Sequence, residues 1–201
     1  MNQTPNFEVT PVTLEGQVVR LEPLRLEHAS QLWDVMKNDV EEIFRWIPYM
    51  VRSAEDSRNF VEMVLAEQER KVSLPFATVE RSSGKVVGST RFMNIDIANR
   101  HVEIGSTWIA PPWQRTAVNT EAKYLMLRHA FETWKCMRVE FKTDSMNEKS
   151  RKAILRLGAK EEGTFRKHML IWNGRIRDSV YFSILDTEWP EVKAGLEAKL
   201  A

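Results

Sequence analysis

The sequence predicts a mixed α/β (α+β) fold, with a mostly antiparallel central sheet of about seven strands flanked by helices. Three observations carry this expectation. Seven segments read as strands, some by alternation and others by the hairpin loops that join them. Their order is strand, two helices, three strands, helix, strand, helix, two strands, which suits hairpins plus one crossover. The helix at Asn119–Lys135 is apolar almost all round, so it is expected to be buried as that crossover. At 201 residues the chain is long enough for one well-cored domain, and 1–201 reads as a single domain.

Each element has a local reason. Residues 1–13 read as a loose arm, because Pro5 and Pro11 discourage regular structure. Val18–Leu24 alternates, with Val19 and Leu21 against Arg20 and Glu22. His28–Lys37 places Ala29, Leu32, Trp33 and Met36 at helical spacing. Asn38–Arg52 reads as irregular. Ser53 caps a helix running to about Arg70, with Phe60, Val61, Val64 and Leu65 on one face. Strands at Leu74–Glu80 and Val86–Asn94 are joined by a loop containing Gly84, and His101–Ile109 follows. After the central helix come a strand at Arg138–Thr143 and a short helix at Glu148–Leu157, closed by Gly158. Strands at Thr164–Trp172 and Ile176–Leu185 meet at Asn173-Gly174, a turn expected to need positive φ at both residues. The tail Glu188–Ala201 reads as a helix.

Composition excludes several classes. The net charge is +1, without a run of basic residues, so neither nucleic acid nor an anionic membrane is an expected partner. Cys136 is the only cysteine, which rules out an internal disulfide and a multi-cysteine zinc site. It reads as a buried structural thiol rather than a nucleophile. The polar N-terminus lacks a signal-peptide pattern, and no apolar run approaches membrane-spanning length. A cytoplasmic location is expected.

One stretch carries the chemistry. Residues 101–135 read as strand, proline-broken loop and long helix. The start of such a helix presents N–H groups without intrahelical partners and the positive end of its macrodipole, a setting that receives phosphate.

Several local sequences then carry a resemblance. Glu103-Ile104-Gly105 with Trp108-Ile109 resembles the fourth strand of the GCN5-related N-acetyltransferase (GNAT) fold, in the RimJ/RimL-type branch that acetylates N-termini of ribosomal proteins. Residues 114–122, Asn147-Glu148-Lys149-Ser150, Leu157-Gly158-Ala159 (with Ala159 in place of the usual phenylalanine) and Arg177-Asp178-Ser179-Val180-Tyr181 resemble further parts of that branch in order. The resemblance spans roughly residues 15–188. The loop departs from the family pattern: Ala117 and Asn119 stand at its usual glycine positions, and Ile154 stands where many members carry a tyrosine acid.

This resemblance implies an N-acetyltransferase using acetyl-CoA, with transfer to a primary amine by direct attack in a ternary complex. The amine would belong to a protein N-terminus or a small molecule, and a homodimer is a possible further partner. The implied cofactor contacts are the backbone of Trp108, Ile109 and Ala110, the loop Arg115, Thr116, Ala117, Val118 and Asn119, and the side chains of Asn147 and Ser150. Asn147 either bonds the pantetheine or caps its helix. Ser150 either protonates the leaving thiolate or makes room for the cofactor. Glu103 is the candidate base; the alternative has it facing solvent or pairing with an arginine such as Arg91. Glu41, Glu42 and Trp46 would meet a cationic amine, or else Trp46 plugs a surface loop into the core. Asp144 would contact substrate or cap a turn. A non-catalytic acyl-CoA-binding protein on the same fold is the alternative function, motivated by Ala117, Asn119 and Ile154.

Overall fold

The computed structural model describes residues 7–201. The chain runs through β1 (Leu14–Glu15), β2 (Val19–Pro23), α1 (His28–Met36), α2 (Val40–Phe44) and α3 (Ala54–Glu69). Then come β3 (Ser73–Glu80), β4 (Val86–Asp96), β5 (His101–Ile109) and α4 (Ala117–Arg128), which continues as a π turn at His129–Thr133. The rest is β6 (Arg138–Asp144), α5 (Glu148–Arg156), β7 (Lys160–Leu170), β8 (Ile176–Leu185) and α6 (Trp189–Leu200).

Among the described residues, eight strands form one sheet in the order β1-β2-β3-β4-β5-β6-β8-β7. Every neighbouring pair is antiparallel except β5 and β6, which α4 connects as a crossover. The expected seven strands gain β1, a two-residue piece that pairs Leu14 with Leu21. The helix α2 lies inside the segment expected to be irregular, and β7 begins four residues before the expected Thr164.

Both faces of the sheet are covered. On one, α4 and α6 bury Ala122, Leu125, Met126, Leu127 and Leu196 against Phe92, Val102, Ile104, Val139 and Phe182. On the other, Leu32, Met36, Phe44, Val61 and Val64 pack over Ala77, Val79 and Trp108. The Ser53 cap forms, its hydroxyl accepting the Asp56 N–H at 3.0 Å. The expected looseness of the arm does not extend to residues 7–13. Phe7 stacks on Trp134 at 4.8 Å, and the Trp134 indole donates to the Glu8 carbonyl. Residues 1–6 of that arm, with Pro5, lie outside the described residues. The turn between β7 and β8 forms where expected, but only Gly174 takes a left-handed φ, of +79°. The Gly174 N–H bonds back to Ile171, so a longer turn closes the hairpin.

Two charged side chains of α4 lie inside the fold. The Glu121 carboxylate accepts the backbone N–H groups of Gln17, Val18 and Val19 at 2.8, 2.7 and 2.7 Å. It thereby anchors the start of β2 to the crossover helix. A Cβ at Gly16 would stand 2.4 Å from that carboxylate, which is why the turn carries no side chain there.

Candidate active site

The site arises where the parallel pair separates. His101, Val102 and Glu103 pair with Arg138, Val139 and Glu140. Beyond that point β5 continues to Ile109 and β6 to Asp144 without pairing with each other. On its other edge β5 carries a bulge: Ser106 and Thr107 oppose Thr90 alone, and Ser106 takes a φ of +50°. The splayed strands and the helices around them enclose a cleft of about 1860 Å³.

The strand's alternation divides the cleft into two faces. Val102, Ile104 and Ile109 point into the core beneath α4. Glu103, Gly105, Ser106 and Trp108 point to the side of α2 and α3, where Trp108 lies 6.2 Å from the Phe44 ring. The Ala110 N–H is bonded to Val87, so the preceding Ile109 amide faces the open side of the strand. The Gln114 side chain already holds the Ile109 carbonyl at 2.9 Å. Ala110 itself is fully buried and does not line the cleft.

At the mouth stands the start of α4. Thr116 is its N-cap, accepting the Val118 N–H at 3.3 Å and donating to the Trp113 carbonyl at 2.7 Å. The residue with left-handed φ is Arg115, at +62°. Ala117 and Asn119 are ordinary helical residues of the first turn, so the missing glycines cost no backbone freedom. Arg115, Thr116, Ala117 and Asn119 line the cleft. Val118 does not; its side chain is buried in the core and its N–H is capped. The N–H groups of Thr116, Ala117 and Asn119 remain without intrahelical acceptors, a fit for a phosphate.

On the α2 face, Glu103 is 2% exposed. Its Oε2 accepts from Asn94 at 2.8 Å and from the Lys142 ammonium at 3.3 Å. The expected alternative partner, Arg91, pairs with Glu67 instead. Gly105 keeps this carboxylate's space: a Cβ there would stand 3.0 Å from Glu103 Oε1 and 2.8 Å from Met93 Sδ. The Tyr49 hydroxyl and Ser106 Oγ are 2.6 Å apart, and burial raises the phenol's pKa.

The residues expected at the acceptor end divide. Glu41 and Glu42 are exposed on the cleft rim, with Glu42 3.6 Å from Lys149 across the gap. Trp46 also lines the cleft, but the guanidiniums of Arg45 and Arg175 lie 5.2 and 5.4 Å from its ring centroid. The chain's own cations thus take the interaction expected for the amine. Asp144 is fully buried and off the cleft. It accepts the Met146 N–H at 2.9 Å and holds Arg175, with Arg177 at 4.0 Å, so it closes a turn and anchors β8.

On the α4 face, Asn147 caps α5, its Oδ1 accepting the Ser150 N–H at 3.1 Å. Asn147, Ser150 and Ile154 line the cleft. Lys123 lies on the same wall and was not among the expected site residues. It is 5% exposed, and its ammonium donates to Thr90 Oγ1 at 2.9 Å and Thr107 Oγ1 at 2.5 Å. The signal was present in the sequence: Lys123 sits beside Ala122 in a helix that is apolar almost all round, where a long side chain has little route to solvent. Cys136 is buried away from the cleft, and burial pushes its thiol up to about 12.

Comparison with known proteins agrees with this architecture. The model of the acetyltransferase (GNAT) domain matches residues 19–160. A crystal structure of a GCN5-related N-acetyltransferase from Brucella melitensis is 34% identical, with a TM-score of 0.91 over 100% of this chain and 90% of that one. A Bacillus subtilis (strain 168) protein provisionally named ribosomal N-acetyltransferase YdaF is 28% identical over 172 residues, 84% of this chain and 90% of the relative. Mycobacterium smegmatis RimJ, in complex with CoA-disulfide, shares the fold at 24% identity and a TM-score of 0.84, over 95% of this chain and 96% of that one. The chain belongs to the acetyltransferase (GNAT) domain family and is an acetyltransferase.

Proposed function

We propose that the chain transfers an acetyl group from acetyl-CoA to a primary amine, by direct attack within the cleft. The observation that carries this reading is the splay of β5 and β6, with a helix start at its mouth and a buried carboxylate on its wall. Acetyl-CoA supplies the activated acyl group when bound. The first-turn amides of α4 and the Arg115 side chain hold its diphosphate. The Ile109 amide, facing the gap, bonds the pantetheine arm, and the Asn147 amide group borders the same wall. Ser150 donates a hydrogen bond to the sulfur.

Glu103 accepts the proton that the amine loses, and Lys142 and Asn94 hold its carboxylate in place for that task. Glu41 and Glu42 on the rim draw a cationic amine toward the opening. The acceptor we favour is the α-amine of a protein N-terminus, supported by the name of the Bacillus subtilis relative. Of the motives for a non-catalytic acyl-CoA-binding role, the missing glycines fall away, since Ala117 and Asn119 sit in ordinary helical conformation, and Ile154 stands.

The test is thiol release from acetyl-CoA with N-terminal peptides of ribosomal proteins and a panel of small amines. Release should be fastest with a peptide. Glu103→Gln should lower kcat about a hundredfold or more with acetyl-CoA affinity unchanged. Absence of release with every amine would overturn the function, and an unaffected Glu103→Gln would overturn the base.

A further inference from the structure

Lys123 has no part in the reading above, yet its setting is built. It projects from α4 into the cleft wall, nine-tenths or more buried, and reaches the bulge of β5. Its contacts are two hydroxyls, Thr90 on β4 and Thr107 on β5, which also bond each other at 2.7 Å. Met126 Sδ lies 3.6 Å from the Thr90 hydroxyl. The other charged groups along this wall are Arg115 of the loop, Glu148, Lys149 and Arg156 of α5, and Lys199 of α6. None of them makes a hydrogen bond or ion pair with Lys123; Lys199 is held by the Arg156 carbonyl and Lys149 by Glu42. An ammonium buried without a counter-ion is costly, and burial alone lowers this lysine to about 7.

Its placement is complementary to that of Glu103. Glu103 and Ser106 face the side of α2 and α3, whereas Thr107 and Lys123 face the side of α4 and α5, which also carries the helix start, Asn147 and Ser150. A proton acceptor stands on one face of β5 and a proton donor on the other. We propose that Lys123 is the acid that protonates the sulfur of the departing CoA, from the face opposite Glu103.

This rests on the acetyl-CoA reading above. The step balances as follows. The cationic amine first loses one proton to solvent, and the neutral nitrogen then bonds to the acetyl carbon. The carbon–sulfur bond breaks, and its electron pair goes to sulfur. The Lys123 ammonium gives one proton to that sulfur and becomes a neutral amine. The nitrogen gives one proton to the Glu103 carboxylate. Solvent exchange restores both side chains. Ser150 does not replace Lys123 in this scheme: a hydroxyl is a weaker acid than a thiol, so it can hydrogen-bond the thiolate but not deliver net charge neutralisation. A lysine near neutrality is close in acidity to a thiol with an ammonium beside it, so the proton passes between them without a large uphill step.

The experiment titrates CoA itself on the wild-type protein, on Lys123→Met and on Thr107→Val, following the ultraviolet band of the thiolate. On the wild type the bound thiol should ionise about 1–3 pH units below free CoA, because an ammonium lies beside it. Lys123→Met should bind CoA and lose that shift. Thr107→Val keeps the charge and should retain it. In turnover, Lys123→Met should lower kcat about a hundredfold near pH 7 and abolish the fall of kcat above that pH. Identical thiol titrations in wild type and Lys123→Met would overturn the proposal alone. Equal loss of the shift in both variants would overturn it too, since the charge would not be the cause. Failure of the wild type to bind CoA would overturn the acetyl-CoA reading and this step with it.

Discussion

Replacing Lys123 with methionine should stabilise the protein at neutral pH. Lowering this side chain from 10.5 to about 7 penalises its charged form in the fold by about 5 kcal/mol. Half of the folded molecules have released that proton at about pH 7, so the net cost there is about 4 kcal/mol. The sign follows from the direction of the shift. A lysine whose folded pKa is depressed destabilises the fold fully below its folded pKa, and the penalty fades as pH rises toward the unfolded value. At about pH 9.5, about 1 kcal/mol remains. Methionine loses the two hydrogen bonds from Nζ, worth about 1 kcal/mol each. The Thr90 and Thr107 hydroxyls stay bonded to each other, so neither is left unpaired. Lys123→Met should therefore gain about 2 kcal/mol at pH 7 and lose about 1 kcal/mol at pH 9.5. Urea unfolding of both proteins at the two pH values, followed by tryptophan fluorescence, measures this. The same difference at both pH values would refute the reasoning, because a pH-independent effect cannot come from a buried titrating group.

Two further substitutions or treatments probe the supporting structure. Glu121→Gln weakens the three-amide anchor of β2 and should cost about 2–4 kcal/mol in urea unfolding; a loss below about 0.5 kcal/mol would mean that water substitutes for the carboxylate. Cys136, with its thiol pushed up to about 12, should resist iodoacetamide at pH 8 in the native protein and react fully in urea. Rapid native labelling would contradict its burial.

The elements of the fold were legible because each rests on local signals. Ser53 and the alternation of Val19 and Leu21 are decided within a few residues, and the structure keeps them. The two-residue β1 was not, since it exists only by pairing with Leu21 and by the Glu121 anchor 104 residues from Gln17. The same limit governed the cleft. The order of strand, loop and helix at 101–135 located it, and Arg115 to Asn119 fell where a helix start would put them. The bulge at Ser106 and Thr107 has only Gly105 beside it as a local signal, and an isolated glycine in a strand leaves the extent of a bulge open. Lys123 was passed over because it lies among apolar neighbours, although that company is what buries it. Trp46 was drawn toward the acceptor by the resemblance and by residue type, and Asp144 by its place after the strand. Arg45 adjoins Trp46, but Arg175 and Arg177 lie more than thirty residues downstream of both and meet them only in the folded hairpin.

The central claim is that the gap between β5 and β6 receives acetyl-CoA from the start of α4. Amide hydrogen exchange with and without acetyl-CoA tests it most directly. Added acetyl-CoA should slow exchange at Ile109 and at Thr116, Ala117 and Asn119, the amides left open at the mouth and along the strand, while Ala110 and Val118, already bonded to Val87 and Thr116, change little. Unchanged exchange at those open amides, at acetyl-CoA concentrations that saturate binding by calorimetry, would contradict the account.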